Sequence, residues 1–325
     1  MSENKPIRRV AVIGTGVIGA SWAALFLANG LEVVATDVAP DAEAALKRFV
    51  AAAWPALQRL GLASGASQSK LSFTAALATA VKNVDLVQEN GPEKIDFKRT
   101  LYKQLDELLP ADVIIASSSS GLTMSEIQSA CPSHPERCVI GHPFNPPHLV
   151  PLVEIVGGAK TSEETIQRAI EFYASLGKRP VRLNKEVPGH VANRLQAALA
   201  REVYHLVAEG VVSVADVDTA VSWGPGLRWG IMGQVLLNHL GGGQGGIEHF
   251  FQQFTGPMEA WWKVLGNPHL TPEVQKKLID GVHAEVGARS VDELAAERDE
   301  ILLGLIELRK KVAKADQPKL AEHVA

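Results

Sequence analysis

His142 lies in Gly141-His142-Pro143-Phe144-Asn145-Pro146-Pro147-His148, a segment stiffened by its prolines. A stiff segment fixes the direction of an imidazole, and imidazole titrates near neutrality. That combination suits removal of a proton from an alcohol as hydride leaves the same carbon. A hydrogen-bonded structural histidine fits the same local sequence. Glu154 stands in the apolar run Val150–Val156. A carboxylate among apolar side chains is costly unless it is paired. His142 would supply the partner, and the carboxylate would orient its ring; a glutamate on an edge strand facing water is the other reading. Asn193, in Pro188-Gly189-His190-Val191-Ala192-Asn193-Arg194, opens a helical pattern, where its amide either reaches a reacting oxygen or caps the helix. The hydroxyls of Ser117–Ser120 follow an apolar run, where they can approach a ribose or a substrate oxygen or simply cap a turn. His148 is a weaker second imidazole. No third ligand accompanies the two histidines, so no metal site is expected.

A cofactor for the hydride is written near the start. Arg9–Ile13 is an apolar strand pattern that breaks into Gly14-Thr15-Gly16-Val17-Ile18-Gly19, and a helical pattern follows from Ser21. In Gly-x-Gly-x-x-Gly the first glycine makes the turn, the second admits a pyrophosphate, and the third lets helix and strand pack closely. The helix N-terminus then offers unpaired N–H groups to the phosphates. A second strand pattern, Leu31–Thr36, ends at Asp37, 18 positions past Gly19. A carboxylate there holds ribose hydroxyls and favours NAD over NADP.

These residues need a scaffold. Strand patterns at Arg9–Ile13, Leu31–Thr36, Val84–Gln88, Asp112–Ala116, Cys138–Gly141, Val150–Val156 and Pro180–Leu183 alternate in the first half with helical ones. The alternation predicts an α/β fold, a doubly wound Rossmann-type sheet with helices on both faces. From Ala192 onward the patterns are helical, at Ala192–Glu209, Val214–Val221, Thr271–Glu285 and Val291–Lys311. Ser290 and Glu293 fit a capping box for the last of these. The expected organisation is a dinucleotide-binding domain over residues 1–186 and an all-helical substrate and dimerisation domain over 187–325. The 325 residues are 46% hydrophobic and carry a net charge of −4. There is no basic field for nucleic acid and no apolar run long enough to span a membrane. No signal peptide is expected before the first strand pattern, and Cys131 and Cys138 lack metal-type spacing. A cytoplasmic homodimer with two reduced thiols is expected.

At these residues the chain resembles the 3-hydroxyacyl-CoA dehydrogenase family. That family shows the same fingerprint, then Ser-Asn-Thr-Ser-Ser-Leu, Gly-x-His-Phe-Phe-Asn-Pro, Pro-Leu-Val-Glu and Pro-Gly-Phe-x-x-Asn-Arg. The counterparts here are Ser117–Leu122, Gly141–Pro146, Pro151–Glu154 and Pro188–Arg194. The resemblance implies that His142 is the base and Glu154 its partner, and that Ser120 and Asn193 contact the substrate oxygen. It places Glu93, Lys98, Ser120 and Asn145 near the cofactor. The family's Asn-Thr is Ser118-Ser119 here, Gly121 replaces a serine, and Pro143 replaces an aromatic residue. The second half carries Gly224-Pro225-Gly226-Leu227-Arg228-Trp229 and a glycine-rich Gly241–Gly246 where acyl-CoA members have Gly-Tyr-Pro-Met-Gly-Pro. In this it is similar to the branch acting on free hydroxy acids, the L-carnitine 3-dehydrogenases in particular.

The resemblance thus implies NAD-dependent oxidation of a small 3-hydroxy acid to the 3-oxo acid, with L-carnitine the expected substrate. A trimethylammonium group has no N–H and is held by aromatic faces, while a carboxylate suits the fork of an arginine. Arg228 and Trp229 are the candidates for those two ends; Trp223, Trp261 and Trp262 lie in the same half, where aromatic side chains also serve as core or interface. The alternatives are a short-chain 3-hydroxyacyl-CoA dehydrogenase, an L-gulonate 3-dehydrogenase and a non-catalytic NAD-binding sensor or structural protein. A lysine-based 6-phosphogluconate type is disfavoured, because no such lysine stands near Asn193.

Overall fold

The computed structural model describes residues 6–321. In the first part the strands are β1 (Arg9–Ile13), β2 (Glu32–Thr36), β3 (Leu71–Phe73), β4 (Leu86–Glu89), β5 (Ile114–Ser117), β6 (Cys138–Pro143), β7 (Leu152–Gly157) and β8 (Arg179–Leu183). The helices among them are α1 (Val17–Ala28), α2 (Ala42–Leu60), α3 (Leu77–Ala80), α4 (Ile95–Leu108), α5 (Met124–Gln128) and α6 (Glu163–Ser175). The strands form one sheet in the order β3-β2-β1-β4-β5-β6-β7-β8. Side chains alternate across a strand, so Val10 and Val12 face one apolar layer with α1, α2 and α6, and Ala11 and Ile13 face the other with α4 and α5. Burial on both faces is why these strands read as unbroken apolar runs. The sheet is the expected doubly wound one, and among the described residues the second part is helical, with a 3-10 turn at Gly243–Gly245.

Two features depart from the sequence expectation. β6 and β7 are antiparallel, and β7 and β8 are parallel to each other. Strand direction is set by the connection rather than by local pattern, and residues 144–151 turn the chain back without a crossover helix. The second feature is the domain division. Of the described residues, 6–193 and 296–321 form one compact unit, and 194–295 form the other. The boundary expected at 186/187 therefore shifts by a few residues, and residues 296–321 leave the helical part. The physical reason is the apolar stripe of the last helix. Leu303 and Ile306 are buried with Leu149 beside Ala56 and Leu60, and Arg59 binds Glu300 and Glu307 at 2.7 and 2.8 Å.

The second unit carries α7 (Ala192–Ala208) from Arg194 on, α8 (Val214–Trp223), α9 (Pro225–Trp229), α10 (Gln234–Gly241), α11 (Gly246–Trp262) and α12 (Pro272–Val286), and α13 (Val291–Ala321) starts in it. Ser213 and Thr271 cap α8 and α12 through Asp216 N and Val274 N. The expected capping box is formed at α13, with Ser290 N donating to Glu293 and Glu293 N to the Ser290 hydroxyl. Among the described residues no helix is long and apolar enough to cross a membrane.

Candidate active site

The antiparallel turn at β6 puts His142 directly opposite Glu154. Directly opposed residues of such a pair point to the same face, and His142 Nδ1 lies 2.9 Å from Glu154 Oε2. Both side chains are buried. A carboxylate only accepts, so Nδ1 carries the proton, and in the neutral ring Nε2 holds the free electron pair. The other oxygen, Oε1, accepts from Val191 N at 2.8 Å and Ala192 N at 3.0 Å. Burial pushes the Glu154 carboxyl up, but the bonds from His142, Ala192 and Val191 outweigh it and hold the group below the usual carboxylate range. Glu154 is thus an interior, paired acid and not one facing water.

Asn193 is half-buried in the first turn of α7, directly after the two amides that hold Glu154. Ser120 N donates to Glu93 Oε1, as do Gly121 N, Leu122 N and the Ser119 hydroxyl, at 2.6 to 3.2 Å. This ring of donors fixes the serine loop. Burial raises the Glu93 carboxyl; the Ser119 and Gly121 bonds and nearby Lys98 bring it below its ordinary value. Lys98 is buried, and its full ion pair is with Glu89, at 2.8 and 2.9 Å; Glu93 lies 3.8 Å away. Sequence reasoning missed Glu89. It ends β4, accepts from the Ser117 hydroxyl and Gly91 N at 2.6 Å each, and is fully buried. An acid closing an apolar strand nine positions before a lysine was the available signal.

Asn145 is exposed, and the peptide bond to Pro146 is cis. His148 is not part of this constellation: Ser21 Oγ is 2.7 Å from its Nδ1 and 2.8 Å from its backbone N. Burial pushes its pKa down to about 4, so it clasps the β6–β7 connection to α1 as a neutral ring. Lys178 holds the same connection, donating at 2.6 Å to Pro147 O and Val150 O under the ring of Trp22.

The glycine turn fits a dinucleotide. Gly14 has φ +80°, and a Cβ there would meet Asn90 O at 2.7 Å; one on Gly19 would stand 1.9 Å from Gly14 O. Around Gly16 there is open space, and α1 starts there with no side-chain cap. Val17 and Ile18 form the first turn beside it. Asp37 Oδ2 accepts from Thr15 N at 2.6 Å and Thr15 Oγ1 at 3.0 Å, and Oδ1 accepts from Ala39 N. Burial raises its carboxyl, and these bonds hold it below the usual range, as an anion. A cavity of about 610 Å³ is lined by Gly14, Gly16, Asp37, Val38, Asn90 and Phe97. A pyrophosphate at Gly16 and a ribose at Asp37 match this donor and acceptor set.

Arg228 and Trp229 belong to the second unit, on α9, and both are exposed; Trp229 Nε1 donates to Gln234. Trp223, Trp261 and Trp262 are exposed as well, at 77%, 61% and 62%, and so are not core within this chain.

Residues 9–187 match the family model of the 3-hydroxyacyl-CoA dehydrogenase NAD binding domain, and residues 189–284 match that of its C-terminal domain. The chain is 46% identical to L-carnitine dehydrogenase of Streptomyces griseus over 98% of this chain and 93% of that one. It is 48% identical to L-carnitine dehydrogenase of a Pseudomonas species over 93% and 94%. Among solved structures, it is similar to the NAD-dependent dismutase 5-formyl-3-hydroxy-2-methylpyridine 4-carboxylic acid 5-dehydrogenase, with a TM-score of 0.80, 33% identity and coverage of 93% and 98%. It is also similar to 3-hydroxybutyryl-CoA dehydrogenase of Escherichia coli K12, with a TM-score of 0.65, 26% identity and coverage of 85% of this chain and 57% of that one. NAD is therefore the cofactor for which the turn, the acid and the cavity are built. With both halves matched in order, this chain belongs to the 3-hydroxyacyl-CoA dehydrogenase family, NAD-dependent oxidoreductases of a secondary alcohol.

Proposed function

We propose that this enzyme oxidises L-carnitine to 3-dehydrocarnitine with NAD. Identity of 46–48% to L-carnitine dehydrogenases over nearly the whole chain supports the substrate. The observation that carries the chemistry is the register of β6 on β7, which opposes His142 and Glu154. His142 Nε2 takes the hydroxyl proton, and Glu154, held by Val191 N and Ala192 N, keeps Nδ1 protonated and the ring aimed. NAD supplies the acceptor for the hydride. Ser120 and Asn193 steady the substrate oxygen as its charge changes, and Glu93 holds the serine loop that carries Ser120. Gly14–Gly19, Asp37, Lys98 and Asn145 serve the cofactor side. Arg228 suits the carboxylate, and exposed rings such as Trp229 suit the trimethylammonium.

The expected result is NAD reduction with L-carnitine at a kcat/KM at least about 100-fold above that with 3-hydroxybutyryl-CoA. Nicotinamide absorbance in steady-state assays measures both. The reverse order would give the substrate assignment to the acyl-CoA thioesters.

A homodimer accompanies this reading. The second unit exposes Trp223, Val235, Leu240, Phe251, Trp261 and Trp262, apolar surface of the kind an assembly contact covers. A second copy covers it most simply, as closed two-fold pairs are the commonest assembly. Light scattering should give twice the chain mass; the mass of a single chain at micromolar concentration would overturn the dimer. A cytoplasmic location fits NAD dependence and the two free, buried thiols Cys131 and Cys138.

A further inference from the structure

His190 has no part in the chemistry above, yet it packs on the base. It stands directly before the two amides that hold Glu154. Its backbone φ is +49°, in the left-handed region, after Gly189 at +78°. Few side chains tolerate that region, histidine better than most, and such outliers gather at functional sites. The side chain is 2% exposed. Its ring centroid lies 5.1 Å from that of His142, with the planes tilted by 49°.

The tautomer follows from its partner. Nε2 is 3.0 Å from the Ser119 carbonyl oxygen. A carbonyl only accepts, so Nε2 carries the hydrogen and Nδ1 of the neutral ring carries an electron pair. That Nδ1 is buried and has no hydrogen-bond partner among the described residues. A buried acceptor without a donor is costly and calls for a reason. The positive end of the ring dipole meets the Ser119 carbonyl, and the negative end meets no donor among the described residues. In a site shielded from water, an uncompensated electron pair favours positive charge beside it. The titratable groups facing His190 are His142 on β6, Glu154 on β7 and Glu93 after β4. Burial holds the His190 pKa below the ordinary imidazole value, against the Ser119 carbonyl, which favours the neutral ring.

We propose that His190 is a positioning residue for the base: it tethers the serine loop through Ser119 and sets a ring with an unpaired electron pair against the ring of His142, the two centroids 5.1 Å apart, where that pair favours the cation that His142 becomes. The family motif Pro-Gly-Phe-x-x-Asn-Arg has phenylalanine at this position, a ring with the same shape and no electron pair to offer. The inference rests on His142 being the base.

The test compares His190→Phe and His190→Gln in the full-length enzyme, by kcat/KM against pH for L-carnitine oxidation with saturating NAD. Without the electron pair the cation is less favoured, so the base loses its proton at lower pH. In His190→Phe the ascending limb should move to lower pH by about half to one unit, with the plateau kcat down roughly 3–10-fold. Glutamine keeps a donor for Ser119 and an acceptor, so its limb should stay within about 0.2 units of the original. A purely structural role would lower kcat and leave the limb in place. An unmoved limb in His190→Phe, or a glutamine limb that moves as far as the phenylalanine one, overturns the inference. Nitrogen-15 spectra of the unsubstituted enzyme test it without any variant: His190 should show a protonated Nε2 and a bare Nδ1 throughout the titration of His142. A protonated Nδ1 over that range also overturns it. Absence of turnover on any 3-hydroxy acid refutes the dehydrogenase reading itself, whereas an unmoved limb in an active variant refutes only the role of His190.

Discussion

Replacing His142 with alanine is expected to cut kcat for alcohol oxidation by about 10²–10⁴-fold while NAD affinity stays within about a factor of three. The split follows from where the residues lie. The base sits on β6, whereas the glycine turn and Asp37 sit at the ends of β1 and β2. None of the hydrogen bonds around Asp37 or Glu93 passes through the imidazole. The loss should also leave the fold intact, because Glu154 keeps its two backbone donors at Oε1. Steady-state rates give kcat, and quenching of tryptophan fluorescence by NAD gives the affinity. Turnover within tenfold of the parent enzyme would remove His142 from the role of base. Loss of NAD binding together with turnover would mean that the substitution had damaged the scaffold instead.

The ingredients of this site and the pairing of His142 with Glu154 were legible in the sequence, but the strand direction that brings the pair together was not. Gly14–Gly19 and Asp37 are local: a strand, a turn and a helix N-terminus lie within one βαβ unit, and the pattern states their geometry. His142 and Glu154 were also visible, the first by its stiff surroundings and the second as an acid in an apolar run that needs a partner, and the two were expected to pair. Their meeting depends on the antiparallel return through residues 144–151, and a buried strand reads the same in either direction. Glu89 was hidden because the apolar pattern Val84–Gln88 stops one residue short of it. The helices α10 and α11 contain or border Gly241–Gly246, and α11 also contains Pro257; local propensity argues against helix there, and tertiary context overrides it. Aromatic residues such as Trp223 and Trp261 read alike whether core or surface, so only the structure could show them exposed. The last helix belongs with the first unit because a short stripe, Leu303 and Ile306, meets Leu149, a contact that no local window contains.

Glu154→Gln should be more damaging than its small change in shape suggests, with kcat down about 10³–10⁴-fold. The two carboxylate oxygens have different partners. Oε1 faces two backbone N–H donors, from Val191 and Ala192, and Oε2 faces His142 Nδ1. A glutamine amide has one oxygen and one NH₂ group. The oxygen must take the place opposite the two N–H donors, because the NH₂ group there would oppose two donors with its own. The NH₂ group is then turned to His142 and donates to Nδ1. That bond requires a bare Nδ1 and puts the ring proton on Nε2, so the atom meant to accept the alcohol proton already holds one. Glu154→Ala gives no such instruction. Its His142 is poorly aimed but free to adopt the productive tautomer, so alanine should retain more turnover than glutamine. NAD affinity should be unchanged in both. The order is tested by kcat for the two variants, with imidazole nitrogen shifts reporting the tautomer; a glutamine variant as active as the alanine one would refute the assignment of the two oxygens. The acid side follows the same logic. Because the folded carboxyl is held below its unfolded value, the stability it lends is complete above the ordinary carboxylate range and fades as pH falls through the depressed one. Across the neutral range the parent enzyme keeps Glu154 ionised, so the deficit of the glutamine variant there is one of proton placement rather than of lost folding.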